Sequence, residues 1–577
     1  MRLDFRPLLR VSILFIAFSL NFVISTQAGN ATVPGEVTTP YPTIINLAVE
    51  WMIEGDDNLN GVVTVRYRKP GDRAWKEAMP LRRVPAGKSV QTTPIFHWDN
   101  KHSGSIFNLH PDTEYEIQLK LTDPDGGSAE RTVRTKTRPV PRAAPNSMVK
   151  AANPKNFKEI AATLAPGEIL ELTPGYYRPY EAAADGLPGK PIVIRSQGGS
   201  VFDSISLRDR KYVHLDGLTV WGSVELMGGE HLTVRRCTVR ARYGIIAKNP
   251  PGAKNCYIAD NVVTYKMPWV KIGMASGNIY GGPANLGEGI EITGPGNVIC
   301  HNFVEGFRDC ISTMEDRHTA EQVCIDIYNN DINRGPDDGV EADFCFHNCR
   351  IMRNRITNCN MGLSSQPGLG GPTYFIGNAL YNITMAAFKL HRYSTGDVLL
   401  HNTVVRCGDG MSVRDPSRPW THSLWRNNLC IGGIGGEINK YVDGDGQAIY
   451  LPMAGEGCDF DYDAVGTYLT PFRGVIGEVT FNSIEELRER TTEKHAVQVD
   501  LSVFNNVAFP YPSVPEWDAP DLRPVAGSAV IDAGVALPNI NDGYKGSAPD
   551  IGAYELGDDL PHYGPRPAGM DEETMSY

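Results

Sequence analysis

Ile351-Met352-Arg353-Asn354 and Phe375-Ile376-Gly377-Asn378 are two apolar segments that each close on an asparagine, 24 residues apart. The same ending recurs at Tyr257 to Asn261, Val298 to Asn302, Ile327 to Asn330, Leu399 to Asn402 and Trp425 to Asn427. From Asn302 onward the gaps that close on these asparagines, starting from Asn302 itself, run 28, 24, 24, 24 and 25 residues. Such a period marks a solenoid, in which each unit buries its apolar face only by stacking on the next. Asparagine suits the repeated turn because it tolerates left-handed backbone and because stacked side-chain amides bond along the axis. With two or three short strands per unit and no helix between them, each unit is one winding of a parallel β-helix.

The strand that follows each turn can be overlaid. Gly289 to Thr293, Cys310 to Met314, Gly339 to Asp343, Gly362 to Gln366, Ala387 to His391 and Gly410 to Arg414 carry mostly apolar residues at their second and fourth positions. Alternation then points Ile290, Val340, Leu363, Phe388 and Met411 inward and turns the third and fifth positions to solvent. The third-position ladder is Glu291, Ser312, Glu341, Ser364, Lys389, Ser412, and the fifth is Thr293, Met314, Asp343, Gln366, His391, Arg414. One residue ahead of the overlaid strands stand Glu288, Asp309 and Asp338, with Asp337 adjoining. Windings stack about 4.8 Å apart, so carboxylates this close need a proton, a metal or a cation between them.

On these repeats the chain resembles the right-handed parallel β-helix proteins of the pectin-lyase-like group. The amphipathic stretch Asn156 to Leu164, followed by Gly167 to Tyr176, is similar to their N-terminal cap; the windings run from about 192 to 431. Gly527 to Gly534 and Pro549 to Glu555 resemble the tail of such proteins, while Gly432 to Pro510 departs from the period. Ahead of the solenoid, residues 31–137 alternate as short strands. Trp51, Val65 to Arg68 and the tyrosine-corner run Leu109 to Tyr115 resemble a fibronectin type III domain, which implies a spacer or docking role. The proline-rich residues 138–146 read as a stiff linker, 147–556 as the solenoid with its irregular extension, and 557–577 as a flexible tail. The fold class is therefore all-β, a parallel β-helix preceded by a small β-sandwich.

Composition bounds the function. The 577 residues carry 55 Lys+Arg against 67 Asp+Glu, a net charge of -12, which leaves no basic field for nucleic acid. Arg2, Arg6 and Arg10 ahead of the apolar run Val11 to Ser25 read as a signal peptide over residues 1–28, shorter than the roughly 20 apolar residues of a membrane span. A secreted or periplasmic monomer is expected. The eleven cysteines, an odd number without paired zinc-site spacing, read as buried thiols.

The long flat face beside the Gly-rich segments 265–287 and 366–371 suits an extended polymer. A solvated polar face is the plain alternative. Three chemistries compete on this face. Glycoside hydrolysis would use Glu341 with Asp309 or Asp338 as acid and base; Asp337 to Val340 distantly resembles the paired-Asp segment of β-helix polygalacturonases, whose Gly-His-Gly motif this chain lacks. A polysaccharide lyase would use Lys389 or His391 as base, Arg414 or Arg392 to neutralise a uronate carboxylate, and Ca2+ held by Glu341, Asp343 and Glu288. A C5-epimerase would use the same parts without cleavage. Arg308, Gln366 and Tyr374 are expected to bind substrate. The lyase uses most of the cluster. A non-catalytic glycan-binding or adhesion protein is the other class, with Trp269, Tyr280, Tyr374 and Trp420 as stacking candidates.

Overall fold

Strand Val62–Arg68 buries every second residue, as a half-solvated strand must. Its neighbours follow the same logic. Val33–Thr38, Leu47–Glu54, Lys101–Ile106, Lys76–Val84, Val62–Arg68, Glu114–Thr122 and Ala129–Lys136 pair in that order as an antiparallel β-sandwich around Trp51, Val63, Val65, Ile117 and Leu119. The Tyr115 hydroxyl accepts the His110 N–H at 3.0 Å, closing the expected corner. The computed structural model describes residues 29–575 apart from 249, 268–286, 314–321, 414–417, 439–440, 443 and 514–515. The expected signal peptide lies outside the described residues. Among those described, no helix is long and apolar enough to cross a membrane.

The second part is a parallel β-solenoid. One sheet of 13 strands and one of 19 run its length, with the short helix Phe157–Ala161 at the N-terminal end. Between the sheets lies one apolar core in which Ile290, Ile311, Val340, Leu363 and Phe388 stack in a column. The asparagine ladder is continuous. Each side-chain amide donates to the carboxamide oxygen one winding on, from Asn261 through Asn302, Asn330, Asn354, Asn378 and Asn402 to Asn428, at 2.9 to 3.0 Å. Two details of the expectation are corrected. The last rung is Asn428 rather than Asn427. The left-handed backbone belongs to the residue before each rung, Asp260, His301, Asn329, Arg353, Gly377, His401 and Asn427, leaving the asparagine itself buried and outside the left-handed region. The irregular stretch after residue 432 is a further winding with an insertion: Asp463 accepts the amide of Asn428 at 2.9 Å and so ends the ladder.

Residues 557–575 are not a loose tail. The C-terminal segment returns along the row of left-handed turns, Gly552 beside Asn427 and His401, His562 beside Asn329, and Arg566 on Asp260 at 2.7 Å. Arg566 and Glu572 are buried there with Tyr257. Cys345 and Cys349 form a disulfide, correcting the all-thiol expectation; eight of the other nine cysteines are buried.

Nor does the sandwich stand off on a linker. Arg138 donates to the carbonyls of Asn255 and Gly296 on the solenoid at 2.7 and 2.6 Å, and Asn46 donates to Asp326 at 2.8 Å. The sandwich is docked on the outer face of the 13-stranded sheet, where Ile44, Ile45 and Phe107 pack with Tyr257, Tyr328, Tyr374 and Val398, and its edge reaches the turn beyond the 19-stranded sheet with Phe96 among Phe344, Phe346 and Leu369.

Candidate functional site

Five successive strands build the wall on which the expected residues lie. They are Glu288–Ile292, Asp309–Ser312 and the C-terminal halves of Asp331–Glu341, Arg355–Ser365 and Ala379–Leu390. Register pairs Glu291 with Ser312, Ser312 with Glu341, Glu341 with Ser364 and Ser364 with Lys389. The third-position ladder is therefore real over five windings. It fails at the sixth, where Phe388 pairs with Val413 instead of Met411, so Ser412 is displaced by two residues. Arg414 and Met314 lie outside the described residues.

These side chains point away from the core yet are shut from solvent, contrary to the expectation of an open polar face. Glu291 and Ser364 are 0% exposed, Asp338 0%, Asp309 1% and Lys389 6%. Charged groups one winding apart lie close together here. Asp309, Asp338 and Glu341 bring one carboxylate oxygen each within 4.8 Å of the other two. The Lys389 ammonium lies 2.5 Å from Asp338 Oδ2 and 3.9 Å from Glu341 Oε1. Arg308 sits on the opposite flank, 3.3 Å from Asp309 and 3.4 Å from Asp337.

Burial with like charge sets the proton affinities. Desolvation, followed by Asp309 and Asp343, pushes the Glu341 carboxyl well above the usual range. Burial first and then Asp309 do the same to Glu288; burial, then Asp338, do so to Asp337. Asp338 is raised by burial against the opposing pull of Lys389. Burial alone would lower Lys389, but the field of Asp338, Asp343, Asp337 and Glu341 outweighs it and holds the ammonium protonated far above neutral pH.

The structure groups Lys389, Glu341, Asp338, Asp309 and Arg308 as one unit. Glu288 joins it through its register partner Asp309 and accepts from Ser312 at 3.4 Å. Asp343 adjoins the group and accepts the Ser364 hydroxyl at 2.5 Å. The three carboxylates close enough to share a cation are Asp309, Asp338 and Glu341, whereas the expected set was Glu341, Asp343 and Glu288. Three hard oxygen donors suit Ca2+ or Mg2+. Asp338 Oδ1 is buried with no hydrogen-bond partner among the described residues, as a site needing a further charge partner would leave it. His391 bonds Gln366 through Nδ1 at 2.7 Å at the outer edge of the same wall, and Arg392 follows it in left-handed backbone.

Tyr374 does not belong to this wall. It is 4% exposed in the seam with the sandwich, its hydroxyl accepting the Ser105 N–H at 3.2 Å and its ring edge-on to Phe107. Trp420 is 1% exposed and packs with Trp425 and Phe460 in the core; Trp269 and Tyr280 lie outside the described residues. Sequence reasoning did not commit Asp337, whose place beside Asp338 was its only signal, or Glu291, which Lys248 approaches at 3.5 Å. The sandwich edge at Phe96 and Trp98 carried no signal at all. No protein-family model and no curated protein matches the chain.

Proposed function

We propose that the chain is an exported carbohydrate-active enzyme that cleaves a uronate-containing polysaccharide by β-elimination. The observation that carries this reading is the placement of Lys389 against the Asp309, Asp338 and Glu341 triad on the wall of a long flat sheet. The resemblances of the solenoid to the pectin-lyase-like group and of the sandwich to a fibronectin type III domain agree with it.

In such a reaction a base takes the proton beside the uronate carboxylate, the C4–O4 bond breaks, and the new sugar end carries a C4–C5 double bond. A divalent cation held by Asp309, Asp338 and Glu341 would supply positive charge to the substrate carboxylate. Lys389 in its ion pair holds its proton, so its service as base requires that the acids around it, Asp338, Asp343, Asp337 and Glu341, be neutralised first. With their field gone, burial lowers its proton affinity and leaves a free amine on the substrate side of the wall. His391, braced by Gln366, stands two residues further along the chain, just past the end of the strand at Leu390, and can take or return a proton. Arg308, still 24% exposed, and Arg392 orient the uronate.

The test is incubation of the purified chain with polygalacturonate, alginate and glucuronate polymers, with Ca2+ and with a chelator, following the ultraviolet absorbance of the unsaturated product. Lys389→Ala should abolish the signal while leaving polymer binding. The raised carboxyls of Glu341 and Asp338 favour hydrolysis as the second reading, since one protonated acid beside an ionised partner is what that reaction needs. New reducing ends without absorbance would install the hydrolase, uronate inversion without cleavage the epimerase, and binding without turnover the glycan-binding module.

A further inference from the structure

The sandwich contributes a hairpin, Gly87–Lys88 paired with His97–Trp98, to the seam with the solenoid. Two glycines admit the Trp98 indole: a Cβ at Gly87 would fall 2.5 Å from Cζ2 and one at Gly370 would fall 2.7 Å from Cδ1. Its Nε1–H donates to the Pro85 carbonyl at 3.0 Å, so the ring is packed close to these two backbone segments and held at its polar end. Just before it, Phe96 packs edge-on to Phe344 and Phe346, at 5.8 and 5.6 Å, directly after Asp343 in the chain. The hairpin thus runs along the same turns, after Asp343, Gln366 and His391, by which the chain leaves the acidic wall.

Between hairpin and turns is a cavity of about 280 Å³, lined among others by Val84, Lys88, Trp98, Tyr393, Thr421 and His422. That is the small end of ligand sites, roughly 300 Å³, and accommodates one sugar ring rather than a chain. Arg392 and Tyr393 are consecutive left-handed residues, which turns the Tyr393 ring out of the strand line toward the hairpin. Tyr393 follows Lys389 by four residues, at most about 13 Å of extended backbone. In a chain of net charge -12, no carboxylate is among the described residues that line this cavity, whereas Lys88 is.

We propose that this seam is a subsite for one uronate residue of the polymer, flanking the acidic wall, with Trp98 and Tyr393 as the sugar-facing rings and Lys88 as the partner of the carboxylate. It rests on the uronate polymer read above and gives the sandwich a direct part in substrate binding. An aromatic face and a cation are the two recognitions that a uronate ring offers, one to its C–H surface and one to its charge.

Isothermal titration of the full chain with oligogalacturonate and oligomannuronate, and with the carboxyl-reduced neutral forms of each, tests it. Lys88→Ala should lose about tenfold in affinity for a charged oligomer and nothing for the neutral one; Tyr393→Ala should weaken both by a similar factor. Both positions are solvent-accessible, and unchanged thermal midpoints would show that the variants are folded. Wild-type affinity in both variants, equal binding of charged and neutral oligomers by the wild type, or no binding of either series overturns the subsite. Binding with the expected losses but without unsaturated product would refute the lyase and leave the subsite standing. Product formation with unaltered KM in both variants would do the reverse.

Discussion

Replacing Lys389 with Met keeps the length of the side chain and removes its charge, which isolates what the ammonium does for the acidic wall. Asp338 Oδ1 already has no partner, and Oδ2 loses the donor at 2.5 Å, so a carboxylate that is 0% exposed is stranded beside Asp309 and Glu341. Removing one member of a buried ion pair costs about 3–5 kcal/mol. Part of this returns through proton uptake, and the sign of that uptake gives the experiment its shape. Asp337, Asp338 and Glu341 are all raised by burial, and Lys389 lowers each of them; without it they rise further. A carboxyl that is raised on folding gives its full stabilisation below its unfolded pKa of about 4 and loses it as pH climbs through the folded value.

The deficit of Lys389→Met should therefore be small near pH 5 and approach about 3 kcal/mol at pH 8. Wild type and variant are to be compared by the thermal midpoint of the solenoid transition at both values, in chelator and then in millimolar Ca2+. Added Ca2+ should recover most of the deficit, because a bound cation stabilises the folded state by its differential affinity. Equal midpoints at pH 8, or a gap that narrows as pH rises, would show that Lys389 does not hold these carboxylates and would remove the electrostatic basis of the site.

Asn354→Ala deletes an amide that donates to the Ile327 carbonyl and Asn378 and accepts from the Asn330 backbone and side chain; leaving those groups buried should cost about 3 kcal/mol in urea unfolding, against almost nothing for an exposed asparagine such as Asn58. Arg566→Met removes the ion pair to Glu572 and leaves Asp260 to Arg235 alone beneath the C-terminal strap, and limited proteolysis followed by mass spectrometry should then release fragments from residues 557–575 that the wild type protects. Burial raises Asp463 to about 6 and lifts Glu493 well above its usual range, so this pair weakens the fold as pH rises through about 6; Glu493→Gln should flatten the dependence of the midpoint between pH 5 and 8.

How much of this was legible in the sequence follows from what each pattern encodes. The column Ile290, Val340, Leu363 and Phe388 was readable because burial on one face of a strand imposes a period of two. The same period hid the slip at the last winding: Met411 and Val413 are both apolar and two apart, so either satisfies the alternation, and the structure pairs Val413 with Phe388. The asparagine ladder was legible because a buried amide that must donate and accept along the axis has one chemistry. The left-handed residue ahead of it was not, since Asp260, His301, Arg353 and Gly377 share no side-chain type. Alternation gave the direction of Glu341 and Lys389 but not their burial, which depends on how neighbours fold over them. Tyr374 was misread because its partners, Ser105 and Phe107, lie in the other domain, and no local pattern reports a docking face.

The acidic wall also tells against a purely structural account of itself. A solenoid is stabilised by like stacking on like, and this one obeys that rule in its core column and its asparagine ladder. On the outer wall the same stacking turns repulsive, where Glu288 meets Asp309, Asp309 approaches Asp338, and Asp337 adjoins both. Serine occupies comparable outward rungs at Ser312 and Ser364 with no such penalty, so carboxylates are not required for the stacking. Their repulsion is tolerated because the apolar core and the ladder hold the windings together independently of what faces outward. A group of acids kept buried at a cost to the fold, with one ammonium over them and a straight wall on either side, is the arrangement expected where binding and proton transfer, rather than stability, have set the residues.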